Sequence, residues 1–465
     1  MVRLPNPAAI VWKIRTSSPV AAPDARCSPN IEVVSVGDDC PGETKSSECR
    51  PTLWTHLCLL VLWCFCAYLV GRRGVAAWYF RAGSPKAIQT AIAWDPNNSQ
   101  YYDVSATATH MYAATENPNY VVALYQRATS LSPHDAQLWA NLGSGYDWAG
   151  RANDSFYAFQ RARALFPRSP EINWRLANFC IRAGRMTEGL RALHTVLETD
   201  SSSRGRVFAL ATNAIRDRQA VMDMLPLQAP IFFDYINFAI KREDIVGAEQ
   251  AWARVLEMNI RFEAREATPY LDALVRHREL TQLAEAWSSL KQRFPKEVSD
   301  ANSNSNLITN GNFEFDILNG GLDWHVIPTE GAIVSLDAAG ALDGGRALRI
   351  TFDGSRNLDY GHVFEYVLVR PNTKYRFSGH MRIQGISTDS GVKFQVCDAY
   401  DPGDLFASTE NFVGTRGWSE EHAEFTTRGD THLLLVKATR SVSLKLDNKI
   451  AGTVWVDSVS LRSDE

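Results

Sequence analysis

Residues 53–71, LWTHLCLLVLWCFCAYLVG, form an apolar run of 19 residues without a formal charge. Only Thr55 and His56 are clearly polar within it, and Arg72 and Arg73 close it. At about 1.5 Å per residue a helix of this length reaches about 30 Å, the thickness of a bilayer's hydrocarbon core. A helix in a soluble protein usually keeps a polar stripe, and this segment has none. The run predicts one transmembrane helix, with the rest of the chain as a tethered, water-soluble body.

That body divides by charge. Residues 72–304 carry 24 acidic and 27 basic side chains, a net of +3, whereas residues 305–465 carry 22 acidic and 15 basic, a net of −7. Two folding units with different surfaces are expected, and 465 residues are too many for one core. The whole-chain net charge of −4 offers no basic field for nucleic acid. The eight cysteines form no framework: Cys58, Cys64 and Cys66 lie in the apolar run, Cys27, Cys40 and Cys49 in the tail before it, and Cys180 and Cys397 one in each later half. No CxxC pair with metal spacing occurs, which argues against structural zinc. Trp63 and Phe65 stand where a lipoprotein cysteine needs a small neighbour. Residues 1–52 are rich in Pro, Ser and Asp without a sustained period and read as a disordered tail. Lys45 and Arg50 precede the span while Arg72, Arg73, Arg81 and Lys86 follow it, and the positive-inside rule then turns the body toward the cytoplasm.

From 74 to 296 the sequence repeats with a period near 34 residues. In the clearest unit Trp139, Leu142, Gly143 and Tyr146 lie at i, i+3, i+4 and i+7, one face of a helix. Gly150 permits a turn, Phe159 and Ala162 face inward from a second helix, and Pro167 stops it. This pattern resembles the tetratricopeptide (TPR) repeat, with Ser155 where the repeat has Ala. About six helical pairs are expected, with residues 200–228 as an irregular one. The tryptophans read as packing residues. Stacked pairs present a groove for a protein partner, and by spacing Asn141, Arg175 and Asn178 are candidates to line it.

Residues 297–306, EVSDANSNSN, are a polar linker. Beyond it the period becomes two: YRFSGHMRI, VKFQVCDAY, HLLLVKA and TVWVDSVSL read as strands of an antiparallel sandwich over 307–462. The opening NLITNGNFEF…GLDWHV, the closing GTVWVDSVSL and RPNTKYRFSGHMR between them resemble the galactose-binding-like jelly roll of carbohydrate-binding module families four, nine and twenty-two. That resemblance implies a structural calcium at Glu314 and Asp457, with hydrogen bonding at the sheet edge as the alternative for both. It also implies sugar recognition by aromatic faces. Tyr360 and Tyr400, near loops, are the leading ligand contacts, followed by Trp324 and Tyr366. Phe364, Tyr366 and His362 share one face of the strand HVFEYVLV, and Phe364 stands where those families place a polar residue. Trp418 and Trp455 read as core.

No GxSxG, HExxH, GxxxxGK[ST] or strand-borne GxGxxG occurs, and His110, His134, His194 and His277 are scattered over the helical repeats. The expected architecture is thus α then β: a transmembrane helix, a TPR-like α-solenoid and an antiparallel jelly roll. The expected role is a non-catalytic membrane scaffold without a required cofactor, its repeats holding a protein and its sandwich a polysaccharide. Bacterial proteins that combine these parts imply envelope or exopolysaccharide assembly, with the body outside the cytoplasm. Two alternatives are a purely protein-binding scaffold and a glycan-modifying enzyme.

Overall fold

A helix without a polar stripe leaves apolar side chains facing outward on every side. The apolar run does so in helix α1, Leu53–Arg81, whose residues from Trp54 to Val70 are exposed wherever described. Among the described residues it is the one helix long and apolar enough to cross a membrane. It continues ten residues past the predicted end because no breaker intervenes before Gly83, at φ +69°. The computed structural model describes residues 53–112, 117–298, 306–342 and 344–464, so the predicted tail and most of the linker lie outside it. From Gly71 onward the chain is one compact unit, distinct from the part before it.

Thirteen further helices follow among the described residues. After α2 (Pro85–Trp94) come six antiparallel pairs: α3 (Ser99–Tyr112) with α4 (Pro118–Leu131), α5 (Ala136–Trp148) with α6 (Ala152–Leu165), α7 (Pro170–Arg182) with α8 (Met186–Thr199), α9 (Arg204–Ala214) with α10 (Arg218–Met224), α11 (Ala229–Lys241) with α12 (Ile245–Glu257), and α13 (Thr268–His277) with α14 (Leu280–Arg293). Local chemistry sets the ends. Asn117 and Ser169 cap α4 and α7 ahead of a proline at the first helical turn. Gly150, at φ +71°, makes the tight turn between α5 and α6. The α9/α10 pair is short, as the poor repeat match at 200–228 leads one to expect.

The α5/α6 unit shows why its residues recur. Gly143 has no side chain, and a Cβ there would stand 3.0 Å from the Phe159 ring. Ser155 is fully buried and its hydroxyl donates to the Gly143 carbonyl at 2.8 Å, so the serine is satisfied where alanine is usual. Trp139 packs half-buried and donates its indole N–H to the Pro133 carbonyl. Leu142, Tyr146 and Ala162 are buried, and Pro167 lies just past the end of α6.

The β-half is a sandwich of two five-stranded antiparallel sheets. One runs β1 (His325–Val326), β4 (Tyr360–Leu368), β9 (Leu433–Arg440), β6 (Lys393–Asp398), β7 (Leu405–Ser408); the other runs β2 (Ala332–Asp337), β3 (Ala347–Asp353), β10 (Ala451–Ser463), β5 (Lys374–Ile386), β8 (Gly414–Thr426). Alternate residues such as Val363, Val367, Phe377, Phe394, Val436 and Val456 meet between the sheets. Chain entry and exit are paired, since the Leu307 N–H donates to the Leu461 carbonyl and Asn306 bonds both Val459 and Leu461. Inside, the fully buried Arg440 guanidinium donates to the carbonyls of Leu358, Ser390 and Asn448 and to the Thr388 hydroxyl, tying three loops together.

The two halves meet through side chains that belong to one core. Leu318, Leu322 and Leu433 are sandwich residues, yet they are buried in the hydrophobic cluster of the helices. Gly321, at φ +66°, sits where a Cβ would be 2.8 Å from Leu271 and 3.2 Å from Trp287. Its N–H donates to the Asp272 carboxylate at 2.7 Å. The loop 317–323 therefore covers the apolar surface of the last helical pair, where a repeat array otherwise needs a capping unit.

Candidate functional site

Strand alternation decides which aromatic side chains a ligand can reach. On β4, Val363 and Val367 turn inward, so His362, Phe364, Tyr366 and Leu368 turn outward. Register then builds a row across the sheet: His325 opposite Phe364, Phe364 opposite Lys437, and Lys437 opposite Gln395. The His325 and Phe364 rings stack with centroids 4.8 Å apart and 9° between planes, and Tyr366 sets its edge against both at 5.2 and 5.4 Å. All five residues are half-buried. His325 is held from behind by the Gly321 carbonyl at 3.1 Å.

One end of this outer face leads into the helices. Leu433 is buried there, with Leu368, Ala399, Tyr366 and Tyr400 packed beside it. The Tyr400 hydroxyl donates to the Val275 carbonyl at 2.8 Å, and the Arg278 guanidinium lies 4.5 Å above its ring. Burial pushes the Tyr366 phenol above its ordinary range, and the Asp272 carboxylate adds to that, so Tyr366 keeps its proton as a hydrogen-bond donor.

Two of the aromatic residues read from the sequence as ligand contacts are elsewhere. Tyr360 and Trp324 are each 1% exposed, in the sandwich core, where Trp324 packs on Phe313 and Tyr360 on Phe352. Lying next to a loop in sequence did not bring them to the surface: a bulge between Tyr360 and Val363 turns Tyr360 inward, and Trp324 joins the core beside Phe313. Tyr400 is committed to the junction with the helices, and Tyr366 alone of the four stands in the aromatic row. Trp455 is buried as expected, but on the outer face of the other sheet, between Asp337 and Arg382. Lys437, Gln395 and His325 complete the row, and the first two were passed over. They alternate with apolar residues in HLLLVKATR and VKFQVCDAY, and that signal was available.

Glu314 and Asp457 grip the two ends of one loop. Glu314 accepts from the N–H groups of Gly345 and Arg346 at 2.6 and 3.2 Å. Asp457, fully buried, accepts from those of Leu342 and Ser458 at 2.9 and 2.6 Å. Hydrogen bonding is thus the work both carboxylates perform, and each keeps hard oxygen atoms of the kind calcium favours. Among the described residues no three His, Cys, Asp or Glu side chains gather as a metal centre.

On the helices, the groove candidates bond to one another. Asn141 donates to Asp103 at 2.7 Å, and Arg175 donates to Asn141 at 2.8 Å and to Ser144 at 2.9 Å. Burial raises the Asp103 carboxyl and lowers the Arg175 guanidinium, which marks both as partly withdrawn from water. They form a polar spine that keeps α3, α5 and α7 in register. Asn178 turns back to the Trp174 carbonyl of its own helix.

No family model matches the sequence, and no curated protein matches it. Solved structures similar to the chain include a family 4 carbohydrate-binding module, CBM4, at 15% identity over 34% of this chain and 99% of that one, TM-score 0.27. PilF of Pseudomonas aeruginosa is similar at 12% identity over 50% of this chain and 94% of that one, TM-score 0.27. The protein MamA is similar at 16% identity over 34% of this chain and 91% of that one, TM-score 0.27. The solved structures similar to this chain thus include a TPR protein and carbohydrate-binding modules.

Proposed function

We propose that this protein is a non-catalytic, membrane-anchored scaffold that holds a polysaccharide on the outer face of its sandwich and a protein partner on its helices, in the assembly of a bacterial surface polymer. The observation that supports it most is the row His325, Phe364, Lys437 and Gln395, crossed by Tyr366. The free outer face and edges of the His325–Phe364 stack offer aromatic contact for the C–H face of a sugar ring, while an amide, an ammonium and a phenol offer partners for its hydroxyls. The body lies outside the cytoplasm on this reading, where such polymers are built, against the direction given by Arg72 and Arg73. Protease treatment of intact spheroplasts tests the orientation, and complete protection of the sandwich reverses it.

Affinity electrophoresis of the full chain in detergent, through gels cast with bacterial polysaccharides, tests the binding. Phe364→Ala is expected to weaken retardation about ten-fold, the loss of about 1–1.5 kcal/mol of stacking. Polysaccharide recovered from the mixture should be unchanged in length and linkage. A wild-type protein that no polysaccharide retards, but that captures a protein through its helices, leaves the purely protein-binding scaffold, a reading the buried Leu433 junction favours.

Structural calcium at Glu314 and Asp457 is a subsidiary proposal. The ion would join oxygens from the first and last segments of the sandwich beside the loop 342–346. Added calcium is then expected to raise the melting temperature of the full chain, and Glu314→Gln to abolish the rise. A transition indifferent to calcium and to chelator leaves the two carboxylates as acceptors of backbone N–H groups only.

A further inference from the structure

The outer sheet face differs in charge from the domain that carries it. Residues 305–465 have a net charge of −7, yet the outward positions of β4, β9 and β6 hold Lys437, Lys393, His362 and Gln395 among their apolar residues and no carboxylate. The acidic residues of those strands are turned away. Glu365 faces the interior, where it accepts the Thr309 N–H at 2.6 Å, and Asp398 binds the N–H groups of Tyr400 and Asp401 in its own turn.

The helices bring further cationic side chains to the junction, beside two carboxylates. Asp272, which takes the Gly321 N–H, also lines a cavity of about 510 Å³ between α11 and α13 together with Lys241, Arg276 and His277. Those three are exposed, as is Arg278 above Tyr400. Two carboxylates, Asp272 and Glu243, share the cavity, and Asp272 is already taken up by Gly321. A chain lying on the His325–Phe364 stack thus has cations on both sides: Lys437 on the sheet, Lys241 and Arg276 on the helices.

We infer that the polysaccharide is an acidic one, with uronate-type carboxylates, and that the last helical pairs form a second wall of its binding site. This rests on the glycan reading above. Carboxylates held at exposed lysine and arginine give binding that salt weakens.

The test uses the full chain in detergent and two forms of one polymer: polygalacturonate, and the same backbone with its carboxylates methyl-esterified. Polygalacturonate is expected to bind at least about ten-fold more tightly, with that margin shrinking as salt rises from about 0.05 to 0.5 M. The double variant Lys241→Ala/Arg276→Ala should reduce polygalacturonate binding about five- to ten-fold and leave the ester form unaffected, whereas Lys437→Ala should weaken both forms and polygalacturonate the more, with melting temperatures unchanged as the check on folding. Equal, salt-independent binding of both forms overturns the acidic ligand and leaves the glycan reading standing. Preference for the acidic form with no response to the helix variant overturns the second wall. Binding of neither form, while Phe364-dependent retardation by another polysaccharide persists, overturns this inference alone; absence of all retardation overturns the reading beneath it.

Discussion

Arg440→Ala is expected to lower the melting temperature of the sandwich by about 10 °C, a loss of about 3–5 kcal/mol, measured by calorimetry on the full chain. The guanidinium is fully buried and donates to four oxygens, of Leu358, Ser390, Asn448 and Thr388. Alanine would leave those acceptors without a donor and open a cavity as large as the side chain. Burial pulls the guanidinium pKa down, and the Asp359 and Asp389 carboxylates push it back up. Lysine cannot reach all four acceptors and should fall between the two. A melting temperature for the alanine variant within about 1 °C of wild type would show that water replaces the donors without loss.

Leu433→Asp is the second large effect. Leu433 is fully buried, but its neighbours are the core of the helices and not the space between the sheets. An aspartate there sets an unpaired charge into the junction, which costs about 3 kcal/mol or more. The sandwich interior is untouched, because Leu434 and Val436 still face inward. One cooperative melting transition should therefore become two, with each half keeping its own secondary structure by circular dichroism. Glycan affinity should fall as well, since Tyr366 and Tyr400 lose the packing that orients them. A single transition at the wild-type temperature would mean that the two halves are not joined through this residue.

The architecture was legible because period and punctuation agree in both halves. The 34-residue repeat with its glycines and prolines marked helical pairs, and the change to period two marked the sandwich. Ser155 shows why a pattern tolerates a departure: a small side chain that finds a carbonyl packs like the alanine it replaces. The outer aromatic face was half legible. Alternation placed Phe364, Tyr366 and His362 together, but it did not tell Tyr360, on the same strand, that a β-bulge would turn it into the core. The junction left one mark that alternation reasoning skips. Leu433, Leu434 and Leu435 run without a polar partner, the sign of a strand end covered on both faces. Asp272 and Gly321 left none, because a hydrogen bond between residues 49 positions apart has no local pattern.

The loop 317–323 lying over Leu271 and Trp287 has one more consequence. A bare terminal repeat is sticky, and copies of such a protein tend to join head to tail into open-ended fibres. Here that surface is already occupied by the chain's own β-half, so polymerisation by stacking is closed at this end, however concentrated the protein becomes.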